Sequence, residues 1–193
     1  MVELVLSTGG DFMSYQTKVI TSKQSRLSYA NIWFPKSVNG GQEKYSTTIL
    51  IPKDSKDVQK IKDAIWQAYV EGSSKLEREL GYVPEFKDLK NPIRDGDEER
   101  DWDEAYVGHI FINATSGSRP GVIDIYKNPI TDTSQIYSGV YARCAIHFYV
   151  FANGETKKCG VACCLDNVMK VADGDLLGTR TSAWEDFEDC GND

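Results

Sequence analysis

The stretch SGVYARCAIHFYVF, from Ser138 to Phe151, alternates two kinds of residue. Ser138, Val140, Ala142, Cys144, Ile146, Phe148 and Val150 form an almost wholly apolar set, while Tyr141 and Arg143 fall on the intervening positions. Side chains of a strand point alternately to its two faces, so Tyr141 and Arg143 share the face opposite the core. GHIFINATS has the same form, with Ile110 and Ile112 on one side and His109, Phe111 and Asn113 on the other. In RLSYANIWFPKS, alternation puts Tyr29, Asn31 and Trp33 together and Ala30, Ile32 and Phe34 together. Rings and a guanidinium on an outward sheet face suit unpaired nucleobases, whose flat faces stack on aromatic side chains for about 1–3 kcal/mol each. Cations beside them reach the phosphates. The candidate contact set is therefore Tyr29, Trp33, Phe111, Tyr141 and Arg143, with Lys36, Lys44, Arg119 and Lys127 from neighbouring loops as phosphate contacts. For any one ring, core packing beneath a helix is the competing role. It competes less for Arg143, because arginine is rarely buried unpaired.

These positions need a sheet to hold them. A first strand is expected around Ser14 to Thr21, after a weakly determined arm. Residues 27–52 read as a hairpin turned at Asn39-Gly40-Gly41. Pro52 ends its second strand, and Asp54 or Ser55 can cap a helix over about 54–80. Val58, Ile61, Ile65 and Ala68 recur at helical spacing there, and helical character is expected to resume in SSKLERELG before Gly81. Residues 82–105 read as a long, charged, mobile loop. Short strands follow at 107–114 and in VIDIY, then the long strand, turned back at Asn153-Gly154 into KKCGVACCLDNVMKV. Strands on both sides of one helix, without βαβ alternation, predict an α+β, mainly β protein: an antiparallel five-stranded barrel with a packed helix. One domain over 1–177 and an acidic, disordered tail over 178–193 are expected.

Charge is segregated along the chain. The formal net charge is −7, and WEDFEDCGND at the end holds Glu185, Asp186, Glu188, Asp189 and Asp193; without those five acids it falls to −2. A second acidic block, RDGDEERDWDE, runs from Arg94 to Glu104. A polyanion tethered beside a basic groove competes with nucleic acid for it at high effective concentration. Trp184 and Phe187, set among Glu185, Asp186, Glu188 and Asp189, would serve as hooks for a partner protein once displaced. A merely solubilising terminus is the simpler alternative.

Five cysteines, Cys144, Cys159, Cys163, Cys164 and Cys190, are an odd number, which argues against a disulfide framework. Cys-x3-Cys-Cys lacks a second pair at zinc-finger spacing, and the histidines are His109 and His147, so reduced core thiols are the better reading. No apolar run approaches the roughly 20 residues of a membrane helix, and MVELVLSTGGDF has no basic leader, so a cytoplasmic protein is expected. Two rival functions remain. A metal-dependent nucleic-acid enzyme would use Asp95, Asp97, Glu98, Glu99, Asp101, Asp103 and Glu104, but these crowd into one loop and miss the calcium-loop template. An acidic protein-interaction module suits the net charge but not the aromatic and basic strand face.

Several motifs in order, YANIWFPKS, YSTTILIPKDS, SRPGVID, IYSGVYARCAIHFYVF, KKCGVACCLDNVMKV and GDLLGTRTSAWEDF, resemble the phage single-stranded DNA-binding proteins from about Tyr29 to Phe187. The resemblance implies an OB-fold distantly like that of the phage T7 single-stranded DNA-binding protein, with a helix on the barrel and an acidic C-terminal tail. It implies coating of single-stranded DNA in replication and recombination, and contact with phage or host proteins of those processes. No cofactor and no catalysis are implied, and a homo-oligomer is compatible with it. Here the chain continues EDCGND after Phe187, so the aromatic is not terminal.

Overall fold

The structure, a computed structural model, describes residues 17–37 and 40–178. Eight strands form one sheet: β1 (Lys18–Ile20), β2 (Arg26–Lys36), β3 (Lys44–Pro52), β4 (Arg94–Asp95), β5 (His109–Ser116), β6 (Gly121–Ile123), β7 (Tyr141–Ala152) and β8 (Cys159–Ala172). Five of them close a ring. β2 pairs with β3, β3 with β5, β5 with β8, β8 with β7, and β7 returns to β2 at Tyr141↔Arg26. The predicted ring is antiparallel except at the β5–β8 seam, where Ala114↔Cys163 and Thr115↔Cys164 run parallel. The short strands cover edges that the ring leaves open. β1 continues the β2 side of β7, β4 pairs with β5 beside the seam, and β6 extends the β5 side of β8.

The inside is built by the alternation read from sequence. Ala142, Cys144, Ile146, Phe148 and Val150 of β7 are buried, and so are their counterparts Ile49, Ile51, Ile110, Ile112, Val161, Cys163 and Leu165. Helix α1 (Asp57–Leu80) adds Ile61, Ala64, Ile65, Ala68, Leu76 and Leu80 to the same core. The expected side-chain cap is not made: Lys56 holds the N-cap position without a side-chain cap bond, and the Ser55 hydroxyl before it accepts from the Asp57 N–H at 3.2 Å. Gly81, at φ 85°, ends the helix by donating to the Glu77 carbonyl at 2.8 Å.

Two further expectations change. α1 runs unbroken through Gly72-Ser73-Ser74 rather than stopping and resuming. Gly72 is a contact point: a Cβ there would lie 2.1 Å from Val150 Cγ2, so the glycine lets the helix touch β7. Strand β2 also departs from strict alternation. Its pairing with β3 shifts between Ser28 and Asn31, at a bulge where Tyr29 takes φ 49°. A second shift falls between Asn31 and Lys36, and across it Ile32 and Trp33 are both buried while Phe34 is 70% exposed.

Candidate nucleic-acid interface

The segment 82–105, read from sequence as a loop, is a chain of short elements. After a 3-10 turn at Phe86–Asp88 it runs through β4, helix α2 (Gly96–Glu99) and a second 3-10 turn at Glu104–Tyr106. Its carboxylates hold this path. Lys53 reaches Asp95 at 2.5 Å and Asp97 at 2.7 Å, and Asp97 also accepts from the Gly108 N–H at 2.8 Å. Asp95 and Asp103 cap the turns that follow them, and Glu99 pairs with Arg94. Of the seven acids that a metal reading would need, Asp95, Asp97, Glu99 and Asp103 are thus engaged by cations and backbone N–H groups. Among the described residues, one group of three His, Cys, Asp or Glu side chains brings its ligand atoms within 4.8 Å of one another: His147, Cys164 and Asp166. There His147 Nδ1 lies 2.7 Å from Asp166, which also faces Lys18 at 3.6 Å. Cys144 and Cys163 are buried thiols, and burial pushes Cys144 up to about 12.

The Lys53 ammonium holds the Asp95 and Asp97 carboxyls below their usual value near 3.8, and for Asp97 the Gly108 N–H adds to this. A carboxyl whose pKa is lowered by folding stabilises the fold above its unfolded value and loses that contribution as pH falls through the folded one. Hydrogen exchange at Gly108, referred to the amides of β5, is therefore expected to quicken as pH drops below about 4. Lys53→Met should reduce that pH step to the part the Gly108 N–H sustains at Asp97.

On the sheet beside this segment lies a cleft of about 620 Å³, lined among others by Lys90, Arg94, Asn113, Thr115, Phe151 and Ala162. Its wall is fastened to β8 by Lys90 N–H to Cys159 O at 3.2 Å and Val161 N–H to Lys90 O at 3.0 Å. Gly160 permits that approach, since a Cβ there would stand 2.7 Å from Lys90 Cβ. Its lining sets polar Asn113 and Thr115 beside apolar Ile93, Phe151 and Val161, and the buried Thr48 donates to Asn113 at 2.7 Å.

The nine residues singled out from sequence fall into separate groups. Lys36 and Lys44 are direct cross-strand partners at the end of the β2–β3 hairpin. At the same end of the ring, Arg119 lies over the ring of Trp33 at 4.8 Å. Trp33 itself is only 9% exposed, its Nε1 has no hydrogen-bond partner, and it belongs to the core, so the arginine rather than the ring faces outward. Among the described residues, Lys36, Lys44 and Arg119 have no carboxylate within ion-pair distance. Tyr29 stands exposed on its bulge. Phe111 does not: it is 1% exposed, packed with Leu50 and Tyr106 under the Arg94 guanidinium, and has no free face for a base.

Tyr141, Arg143 and Lys127 lie away from the hairpin end. Tyr141 is half-buried beneath Arg26 at the opposite end of β2. Arg143 is exposed across from Met169, which in turn neighbours Ile123, and Lys127 sits in the turn after that strand. Trp184, Glu185, Asp186, Phe187, Glu188 and Asp189, like the arm, Asn39 and Cys190, lie outside the described residues.

Sequence reasoning missed Lys90, Arg94, Asn113, Thr115 and Phe151 of the cleft, and Arg100 and Trp102 beside Tyr29. Phe151 and Asn113 were on the outward alternation of their strands. Thr115 shares the outward alternation of Asn113, while Arg94, Arg100 and Trp102 had no local signal because they sit in a stretch dominated by acids.

A sequence model of the single-stranded-DNA-binding protein of Enterobacter phage Enc34 matches residues 17–193. The chain belongs to that family. A protein of Acyrthosiphon pisum secondary endosymbiont phage 1, described as putative protein p50, is 32% identical over 174 residues, covering 85% of this chain and 89% of that one. Among solved structures, the Enc34 family's single-stranded DNA-binding protein in complex with single-stranded DNA superposes with a TM-score of 0.70 at 22% identity, over 84% of this chain and 90% of the other. The gp2.5 single-stranded DNA-binding protein encoded by bacteriophage T7 superposes with a TM-score of 0.61 at 17% identity, over 88% and 94%. At those identities the superpositions establish the shared OB-like fold of the Enc34 family. Among the described residues, no helix is long and apolar enough to cross a membrane.

Proposed function

We propose that this member of the Enc34 family binds single-stranded DNA with little sequence preference, without cofactor or catalysis, and protects it during phage replication and recombination. The observation that carries the reading is the basic end of the ring, Lys36 opposite Lys44 with Arg119 outward on Trp33, which has no carboxylate partner among the described residues and lies beside a cleft edged by Lys90. A backbone that presents one phosphate per nucleotide needs cations free of internal partners, because a lysine already paired gains little from a second anion. Asn113 and Thr115 in the cleft lining offer both donors and acceptors, which suits any base edge rather than one. Family membership, and the Enc34 protein solved with single-stranded DNA, support the same reading.

The acidic tail fits as a competitor for this surface and, when displaced, as a contact for replication or recombination proteins through Trp184 and Phe187. The test is fluorescence-anisotropy titration of a labelled oligo-dT, comparing the full chain with one ending at Ala183. Truncation is expected to tighten binding, and more so at low salt. Equal affinity for the two forms would remove the competing role from the tail.

A further inference from the structure

Trp102 is 72% exposed in the middle of the most acidic stretch of the described chain, an unusual position for so large an apolar ring. It is not isolated. The Arg100 guanidinium lies 5.6 Å from the Trp102 ring, 5.7 Å from that of Tyr29 and 5.5 Å from that of Tyr106. Arg100 also donates to the Tyr29 hydroxyl at 3.4 Å. Among the described residues no carboxylate lies within ion-pair distance of Arg100, although Glu98, Glu99, Asp101 and Asp103 are its chain neighbours.

Both flanks of this cluster are fixed from below. Tyr29 is 55% exposed and held outward by a positive φ that non-glycine residues rarely adopt. Tyr106 is buried and donates to Ser28 at 3.1 Å, tying the acidic segment to the strand that carries Tyr29. Backbone strain of this kind persists where surrounding structure enforces it, often at sites that hold a ligand.

We infer that Tyr29, Arg100 and Trp102 form a subsite for one unstacked nucleobase of a bound single strand. The inference deepens the DNA-binding reading and rests on it. The chemistry of the site separates base from phosphate. The acids at Glu98, Asp101, Asp103 and Glu104 keep phosphates off, while two exposed rings bridged by a planar guanidinium offer flat faces to an uncharged aromatic. Glu99, next to Arg100, lines the cleft, so a strand following the cations there can turn a base into the cluster.

The test compares binding of an oligo-dT and of an abasic oligonucleotide of the same length, by anisotropy, for wild type, Trp102→Ala, Trp102→Phe and Tyr29→Ala. Wild type should prefer the oligo-dT. Trp102→Ala should lose about tenfold in oligo-dT affinity while leaving abasic binding and the salt slope unchanged, and Trp102→Phe should restore most of it. Trp102 is exposed, so near-UV circular dichroism outside its own band should not change. If wild type binds both oligonucleotides and Trp102→Ala binds oligo-dT as wild type does, the subsite is wrong and the DNA reading stands. If wild type binds neither, both fall.

Discussion

Replacing Lys36, Lys44 and Arg119 together by alanine is expected to weaken oligo-dT binding about 30-fold at roughly 0.2 M salt. The estimate follows from counterion release: each phosphate contact on a single strand contributes about 0.7 to the slope of log K against log salt. Losing three contacts should flatten that slope by about 2, and the flattening identifies the mechanism. A stacking residue removed instead would lower affinity without touching the slope. Lys36 and Lys44 are exposed partners across the hairpin and Arg119 is exposed, so the triple variant should fold as wild type does. One exception needs checking. Arg119 covers Trp33, whose ring would become more accessible, and quenching of its fluorescence by iodide reads this directly.

The second large effect is on stability. Gly72→Ala should destabilise the protein by about 2 kcal/mol, although alanine is the better helix former by about 1 kcal/mol. The added methyl would meet Val150 Cγ2 at 2.1 Å and Cγ1 at 2.8 Å, both on a rigid ring strand, so helix or strand must shift. For a chain of this size that corresponds to a fall in Tm of roughly 4–8 °C. Combining Gly72→Ala with Val150→Ala should cost less than the two single changes added together, because the smaller side chain makes room for the methyl. Additive costs would show that the helix does not approach β7 at this point.

How legible the fold was depended on whether the deciding contact was local. β7 read correctly because two-residue alternation holds from Ala142 to Val150, the register shift at Ala145–Ile146 placing its extra residue, Asp166, on β8. The hairpin of β2 and β3 was equally visible, yet the faces of its first strand were not. The register shifts at Tyr29 and again between Asn31 and Lys36 break its alternation, and such shifts are set by pairing with β3, which alternation within β2 cannot report. Gly72 read as a pause in the helix because its purpose lies on a strand far along the chain.

The site followed the same rule. Lys36, Lys44, Arg119 and Tyr29 are exposed as the sequence suggested, because cations and rings near turns carry their own signal of exposure. Phe111 was misplaced because Tyr106 covers the outer face of β5 there, and nothing in GHIFINATS announces that lid. The stretch from Arg94 to Glu104 looked like a solvated acidic loop. Asp95, Asp97, Glu99 and Asp103 are instead bound by Lys53, Arg94 and backbone N–H groups, and this fixed path is what places Arg100 and Trp102 beside Tyr29.

Amide hydrogen exchange of the full chain, with and without saturating oligo-dT at low salt, tests the central claim most directly. The account predicts new protection in residues 44–48, 90–94 and 113–116, which border the basic hairpin end and the cleft, with helix α1 unchanged. Protection confined to α1, or none in the presence of excess oligo-dT, would contradict it.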